Sequence, residues 1–121
     1  MNGIKYLLDT NISIGLLKRN PVVLDLFKIK QIKINECGYS AITRMELLSY
    51  SALSTQEKQA IESLLSRMTY LAITAAIESE TIEFRRIHKT KLPDSIIAAT
   101  AKHYKLELLT LDKKLANKLT P

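Results

Sequence analysis

The sequence predicts an α/β fold, a three-layer α/β/α sandwich around a central parallel sheet of four to five strands. Short apolar runs alternate with segments of helical periodicity along the 121 residues. The runs are continuously apolar, which is typical of parallel strands that are covered on both faces. Only three glycines and three prolines interrupt the chain, so much of it is expected to be helical. Right-handed crossovers between such strands place helices on both sides of the sheet.

Four strands and seven helices are predicted along the chain. The strands are expected at residues 4–8, 31–39, 68–73 and 106–111. The helices are expected after residue 11 through 17, from residue 21 onward, and at 40–51, 54–66, 74–89, 94–104 and 113–119. Pro21 fits a first helical position because its missing N–H would have no partner there. Ser54 and Glu57 have the spacing of a capping box, which predicts the start of a helix.

Apolar side chains at helical spacing predict which faces of two helices are buried. For the helix that begins at Pro21 they are Val22, Val23, Leu26 and Phe27. For the helix at 40–51 they are Ile42, Met45, Leu47 and Leu48.

The composition is that of a folded protein: 46% of the residues are hydrophobic and 25% are charged. The length fits one domain over residues 1–121. A single cysteine, Cys37, excludes an internal disulfide and a zinc site built on several cysteines, and suits a reducing compartment. The sequence shows no secretory signal and no apolar run near the roughly 18 residues of a membrane span. A cytoplasmic protein with no membrane partner is therefore expected.

The formal net charge of +6 favours an anionic partner, either RNA or an acidic protein. The cations that are candidates for RNA phosphate contacts are Arg44, Arg85, Arg86, Lys89, Lys91 and Lys113. For each of them the alternative is a solvated charged surface, which is the commoner fate of such side chains. Aromatic residues make up 6% of the chain and none is Trp, so the sequence indicates no stacking platform for bases.

Four carboxylates carry the functional hypothesis. Asp9 follows the first predicted strand and Asp112 follows the fourth, so both are expected at one edge of a parallel sheet, where ligand sites lie. Asp94 begins a helix after Pro93, and it reaches the same edge only if the preceding loop brings the start of that helix there. Glu46 lies beside an apolar helical stripe. Their structural alternatives are helix caps for Asp9 and Asp112, a dipole-stabilised first turn for Asp94 and a solvated face for Glu46.

A shared divalent cation would allow the four acids to lie together. Clustered carboxylates raise one another's pKa values, and a bound cation removes the repulsion. Ligands that are all hard oxygens point to Mg²⁺ or Mn²⁺ rather than Zn²⁺. Such an ion activates water and stabilises charge on a phosphodiester, so the pattern favours a metal-dependent nuclease. The number of ions stays open.

The chain resembles the PIN-domain family and, within it, the VapC-type toxins of toxin–antitoxin pairs. The resemblance rests on four segments that occur in the family's order and span nearly the whole chain. They are Tyr6-Leu7-Leu8-Asp9-Thr10-Asn11, Ser40-Ala41-Ile42-Thr43-Arg44-Met45-Glu46-Leu47, Leu92-Pro93-Asp94-Ser95-Ile96-Ile97-Ala98-Ala99-Thr100-Ala101 and Leu108-Leu109-Thr110-Leu111-Asp112.

The resemblance implies an endoribonuclease that depends on Mg²⁺ or Mn²⁺, with an antitoxin partner and frequent homodimers. It assigns the acidic quartet to Asp9, Glu46, Asp94 and Asp112, and the small polar residue of the last motif to Thr110. By the same analogy Asn11 and Ser40 are supporting residues. Family members often end with a short strand after the last helix, and here that strand is expected to be short or absent.

Two other hypotheses remain at this point. One is a PIN-like module that binds RNA or protein without cutting, although four repelling acids argue against it. The other is an α/β phosphotransfer fold with an Asp after its first strand. A dehalogenase-like phosphatase needs Asp-x-Asp where this chain has Asp9-Thr10-Asn11. A receiver domain needs a phosphoacceptor Asp on the third strand, and residues 68–73 contain none.

Overall fold

A computed structural model, which describes residues 3–119, contains four strands and seven α-helices within that range. The strands are β1 (Tyr6–Leu8), β2 (Cys37–Ser40), β3 (Thr69–Leu71) and β4 (Glu107–Leu109). The helices are α1 (Thr10–Leu17), α2 (Pro21–Ile29), α3 (Ala41–Leu48), α4 (Thr55–Ser66), α5 (Ala75–His88), α6 (Leu92–Tyr104) and α7 (Lys113–Leu119).

The four strands form one parallel sheet in the order β3-β2-β1-β4. The chain passes outward from β1 through β2 to β3, then returns to the other side of β1 as β4. The crossover direction therefore reverses beside β1. In open α/β sheets such a switch point opens a crevice at the carboxyl ends of the strands.

Two apolar cores cover the two faces of the sheet, as expected for strands that are apolar throughout. Leu8 and Leu109 pack with Ile12, Val23 and Ile61, which come from α1, α2 and α4. On the other face, Leu7 and Leu71 pack with Ile97 and Ala101 of α6. Phe84 of α5 and Leu115 of α7 close a third small cluster. The predicted three-layer α/β/α sandwich with a parallel sheet is confirmed.

Several element boundaries differ from the sequence prediction for local reasons. Residues 31–39 are not one strand, because a 3-10 turn at Ile34–Glu36 precedes β2. The Glu36 carboxylate accepts a hydrogen bond from the Lys33 amide at 3.1 Å, which favours the turn. The helix expected over 40–51 is shorter at both ends, with Ser40 as its N-cap and Ser49 as its C-cap. The helix expected at 94 begins at Leu92, because a proline is tolerated in a first turn.

Two side chains expected in the core are exposed. Met45 is 50% exposed because the buried line of α3 runs through Thr43 and Leu47, and Met45 lies about half a turn from each. Val22 is 64% exposed because Val23 takes the buried position in the first turn of α2. The predictions that Met45 and Val22 are buried were therefore wrong. In such short helices the buried face is too narrow to include every apolar residue.

Residues 3–119 contain no strand after α7, and Thr120 and Pro121 lie outside the described residues. None of the helices in the described range is long and apolar enough to cross a membrane.

Candidate metal centre

The switch point beside β1 holds the first two acidic residues of the candidate site. Asp9 directly follows β1, and its amide donates to the Leu109 carbonyl of β4 at 2.9 Å. Thr110 and Asp112 follow β4. The parallel pairing of β1 with β4 therefore brings residues a hundred positions apart in the chain to one edge of the sheet.

Hydrogen bonds hold both oxygens of the Asp9 carboxylate. Oδ1 accepts from the Thr10 amide at 2.8 Å, so Asp9 is the N-cap of α1. Oδ2 accepts from the Thr110 hydroxyl at 2.7 Å and from Asn11 Nδ2 at 3.3 Å. The Asn11 oxygen in turn accepts from the Leu111 amide at 3.1 Å. Asn11 and Thr110 thus position Asp9, which is only 6% exposed.

Asp112 also caps a helix, because its Oδ1 accepts from the amides of Lys114 and Leu115 in α7 at 3.0 and 3.2 Å. Its own amide donates to the Thr110 hydroxyl at 3.0 Å. The cap uses one carboxylate oxygen and leaves the other without a hydrogen bond from the described residues. The capping role and the metal hypothesis are therefore compatible at this residue.

Glu46 is connected to the β1 end through two threonines. The Thr10 hydroxyl donates to Glu46 Oε1 at 2.6 Å and also lies 2.9 Å from the Thr43 hydroxyl. Thr43 is fully buried and lies one turn before Glu46 on α3. Glu46 itself is exposed, with its second oxygen free of hydrogen bonds within residues 3–119.

Asp94 lies in the first turn of α6 and is partly buried. Its carboxylate makes no hydrogen bond or ion pair within the described range. Burial raises its pKa, and the negative charges of Asp112 and Glu46 raise it further. The cations Lys91 and Lys118 act in the opposite direction and lower it.

Mutual repulsion links the four carboxylates. Burial raises the pKa of Asp9, the hydrogen bonds from Thr110 and Thr10 lower it, and the charges of Asp94 and Glu46 raise it. Asp94 also feels the charge of Asp112. Like charges act this way only when they are near one another, so each of the four carboxylates lies within electrostatic range of at least one other.

The chemistry of these acids suits a divalent cation, although their side chains are not arranged as a complete set of metal ligands. Within residues 3–119, no three His, Cys, Asp or Glu side chains stand close enough to form a preassembled metal cluster. The donors are nevertheless all carboxylate oxygens, which Mg²⁺ and Mn²⁺ prefer. Two of them have raised pKa values, so a cation between them would relieve both repulsion and burial cost.

The other predicted site residues lie in different places. The buried Ser40 hydroxyl accepts from the Ile42 amide at 3.1 Å and so caps α3. Lys113 begins α7, and Arg44 lies beside the ring pair of Tyr39 and Tyr70. Arg85 and Arg86 line a cleft at the end of α5. Lys91 is the N-cap residue of α6, near Asp94.

Sequence reasoning missed three residues of this region. Thr10 and Thr43 connect Glu46 to the end of β1, and Lys118 acts on Asp94. Thr10 lies inside the polar triplet after the first strand, and Thr43 is one helical turn before Glu46. Those positions were a usable signal, whereas the approach of Lys118 depends on how α7 packs.

Comparison with known proteins agrees with this geometry. The family model described as PIN domain matches residues 6–118. The chain therefore belongs to the PIN-domain family. No curated protein sequence matches the chain.

Solved structures narrow the comparison to toxin–antitoxin assemblies. A chain of a toxin–antitoxin complex from Klebsiella pneumoniae is 31% identical, with a TM-score of 0.78 over 91% of this chain and 88% of that one. VapBC-1 from nontypeable Haemophilus influenzae is 25% identical, with a TM-score of 0.77 over 96% and 92%. FitAcB from Neisseria gonorrhoeae is 25% identical, with a TM-score of 0.76 over 94% and 92%. The predicted resemblance to VapC-type PIN toxins is confirmed.

Proposed function

We propose that this chain, as a single PIN-like domain over residues 1–121, is an endoribonuclease that depends on Mg²⁺ or Mn²⁺. We further propose that it acts as the toxin of a toxin–antitoxin pair. The observation that carries the first proposal is the geometry at the switch point, where Thr10 and Thr110 join Asp9, Glu46 and Asp112 by hydrogen bonds and Asp94 lies within electrostatic range of Glu46 and Asp112. Four carboxylates that repel one another cost stability unless a cation offsets the repulsion.

The hydrogen bonds of the four acids favour different roles for them. Asp9 and Asp94 are the proposed main ligands, since Asp9 is rigidly held and Asp94 has no competing partner. Asp112 completes the site through the oxygen that does not cap α7. Glu46, which the Thr10 hydroxyl orients, ligates the ion or accepts a proton from the attacking water.

A bound Mg²⁺ or Mn²⁺ supplies Lewis acidity, which stabilises negative charge on the phosphodiester and makes the attacking water more acidic. The neighbouring Lys91 and Lys118 lower the pKa of Asp94 and so partly offset the burial and the acidic charges that raise it. Asn11 and Thr110 keep the Asp9 carboxylate in one orientation, so it needs little rearrangement to act as a ligand.

The test is cleavage of RNA by the purified chain with Mn²⁺ or Mg²⁺. Cleavage is expected to stop with EDTA and to fall at least about a hundredfold in Asp94→Asn and Asp9→Asn, since each removes a charged ligand. Asp25→Asn is the matched control, because Asp25 is exposed on α2 away from the site. Full activity in Asp94→Asn, or unchanged activity in EDTA, would overturn the proposal.

A PIN-like module that binds RNA or protein without cutting is the second candidate. The lack of a preassembled cluster within residues 3–119 is the observation in its favour. Calorimetric titration with Mn²⁺ separates the two, because the nuclease requires a binding isotherm that disappears in Asp94→Asn. A chain that binds RNA but gives no heat with Mn²⁺ supports the module instead.

An apolar groove supports the proposed antitoxin partner. It has a volume of about 330 Å³, lies between α1, α3 and α4, and is lined by Leu17, Leu47, Tyr50 and Leu53 among others. Tyr50 is exposed there although it is large and partly apolar. Relatives solved as toxin–antitoxin complexes favour a partner segment with apolar side chains as the occupant.

Co-purification with the product of the adjacent reading frame tests this partner. Tyr50→Arg is expected to abolish co-purification because it places a charge in the groove. Tyr70→Arg is the control, since Tyr70 is exposed on β3, away from the groove. Loss in both variants, or in neither, contradicts the assignment of the groove. The homodimer and the cytoplasmic location remain proposals, and sedimentation of the purified chain tests the former.

A further inference from the structure

A basic cleft lies along the last turn of α5 and the loop into α6. Its volume is about 490 Å³, and its polar lining includes Arg85, Arg86, Lys89 and Thr90. The cleft is separate from the groove between α1, α3 and α4 and from the ring pair beside Arg44. It therefore groups two of the predicted phosphate-contacting cations, Arg85 and Arg86, with a third, Lys89.

Within the described range, no carboxylate forms an ion pair with Arg85, Arg86 or Lys89. Two of the three carboxylates of the same helix lie beside other groups. Glu80 pairs with His103 at 2.9 Å, and Glu83 lines a different cleft together with Lys102. The charge of the basic cleft is therefore available to an anion from outside.

The base of the cleft is fixed and has an unused hydroxyl. The Thr90 carbonyl accepts from Arg85 Nε at 3.1 Å and from the Ser95 hydroxyl at 3.3 Å. Thr90 is only 9% exposed, and its own Oγ1 has no hydrogen-bond partner within residues 3–119. A buried hydroxyl without a partner is unfavourable, and this one belongs to a residue that lines the cleft.

The cleft is close to the acidic quartet. Asp94 lies four positions after Thr90 in the chain, so their backbones are at most about 14 Å apart. The Ser95 hydroxyl, next to Asp94 in the chain, bonds to the carbonyls of both Thr90 and Lys91. At about 3.4 Å of rise per nucleotide, a strand cut at the quartet reaches this cleft within a few nucleotides.

We propose that the basic cleft binds a backbone phosphate of the RNA strand a few nucleotides from the scissile bond. Arg86 and Lys89 contact this phosphate, while Arg85 shapes the cleft through Thr90. This inference rests on the proposed ribonuclease function and adds to it a positioning subsite. The chemistry is that of a phosphodiester anion, so base identity has no influence at this point.

The backbone offers a substitution that removes charge without strain. Lys89 caps α5 in the left-handed region with φ 54°, which favours glycine. Lys89→Gly therefore removes a cation while easing the backbone, and Arg86→Gln removes a second exposed cation. The matched control is Lys28→Gln with Lys58→Gln, exposed cations on α2 and α4 that carry the same total charge.

The measurement is fluorescence anisotropy of a labelled single-stranded RNA with the chain in EDTA, over a range of salt concentrations. The slope of log K against log salt is expected to become shallower by about 0.7 in the Arg86→Gln/Lys89→Gly pair, because the two cations contact one phosphate and each phosphate contact adds about 0.7 for single strands. The control pair is expected to keep the wild-type slope. In cleavage with Mn²⁺, the first pair should raise KM and leave kcat near that of wild type.

The outcomes separate the subsite from the nuclease proposal. If the cleft pair binds and cuts RNA like the control pair, the subsite is wrong and the nuclease proposal stands. If wild type binds RNA without cutting it, and the salt slopes of wild type and the cleft pair differ as expected, the nuclease proposal is wrong and the phosphate cleft stands. If wild type does not bind RNA at all, both are overturned.

Discussion

Asp9 is the residue at which most interactions of the site meet. Three hydrogen bonds hold its carboxylate, while burial and the charges of Asp94 and Glu46 oppose its ionisation. Burial and neighbouring acidic charges also oppose the ionisation of Asp94, whose carboxylate has no such hydrogen bonds. The metal-free fold therefore contains charge repulsion that a cation, a proton or a neutral substitution would relieve. Repulsion of this kind is measurable as a stability difference.

Asp94→Asn is expected to be more thermostable than wild type in EDTA near pH 7.5. The pKa of Asp94 is raised in the folded state, so its charged form destabilises the fold at any pH above that raised value. The advantage of the variant should shrink as the pH falls through the folded pKa and should vanish near the ordinary Asp value of about 4. Thermal melts of both proteins from pH 4 to 8 provide the measurement. A variant that is less stable at pH 7.5, or an advantage that grows in acid, contradicts the prediction.

Cys37 is expected to be chemically inert in the native protein. It is fully buried in β2, and burial raises the pKa of its thiol to about 12. The reactive thiolate is therefore scarce at neutral pH. Mass spectrometry after iodoacetamide treatment should show no alkylation in native buffer and one adduct in denaturant. Rapid alkylation of native protein would show that β2 opens readily.

At the level of elements, the ends of helices place the acids. Asp9 and Asp112 cap α1 and α7, and Asp94 lies in the first turn of α6. The N-terminus of a helix carries partial positive charge, which favours a carboxylate there. The same three positions that look like ordinary caps therefore also partly offset the repulsion between the acids. Cap and ligand are compatible functions of one carboxyl group.

The contact between α1 and α2 depends on the missing side chain of Gly15. A Cβ at this position would collide with Val23 Cγ2 and lie 3.0 Å from Val23 Cβ. Gly15→Ala is expected to destabilise the fold by about 2 kcal/mol, because overpacking outweighs the roughly 1 kcal/mol gain in helix propensity. Urea unfolding gives the value.

A double variant shows whether Val23 is the cause. If the collision with Val23 dominates, Gly15→Ala combined with Val23→Ala should cost at least about 0.5 kcal/mol less than the sum of the single variants. Additive costs would show that Gly15 matters for another reason.

At the scale of the whole molecule, the strand order makes the site possible. Because β1 lies between β2 and β4, the ends of its two neighbours flank Asp9. Glu46 follows β2 through α3, and Asp112 follows β4. No single segment contains the site, so its formation depends on the assembled sheet and a ligand bound there should stabilise the entire fold.

Mn²⁺ is accordingly expected to raise the melting temperature of the chain. At one hundred times its dissociation constant it should add about 2.7 kcal/mol, equivalent to about 10 °C for a chain of this length. EDTA should reverse the shift, and Asp25→Asn should retain it. Differential scanning calorimetry of wild type, Asp94→Asn and Asp25→Asn makes the comparison. An equal shift in Asp94→Asn would place the ion elsewhere.

The sequence alone determined the class of fold and the identity of the candidate acids. Alternating apolar runs and helical segments predicted the parallel sheet, because that pattern depends on local periodicity. Asp9 and Asp112 stood directly after apolar runs, so their common edge followed from parallel pairing.

Tertiary packing decided which side chains are exposed and which segments meet, because the local sequence pattern does not contain that information. The exposure of Met45 and Val22 depends on which narrow helix face meets the sheet. Three other features also depend on how the strands are ordered and the helices packed. They are the Thr10–Glu46 hydrogen bond, the approach of Lys118 to Asp94 and the cleft at Thr90. Periodicity specifies which face of an element is apolar, whereas only the packed chain specifies what that face meets.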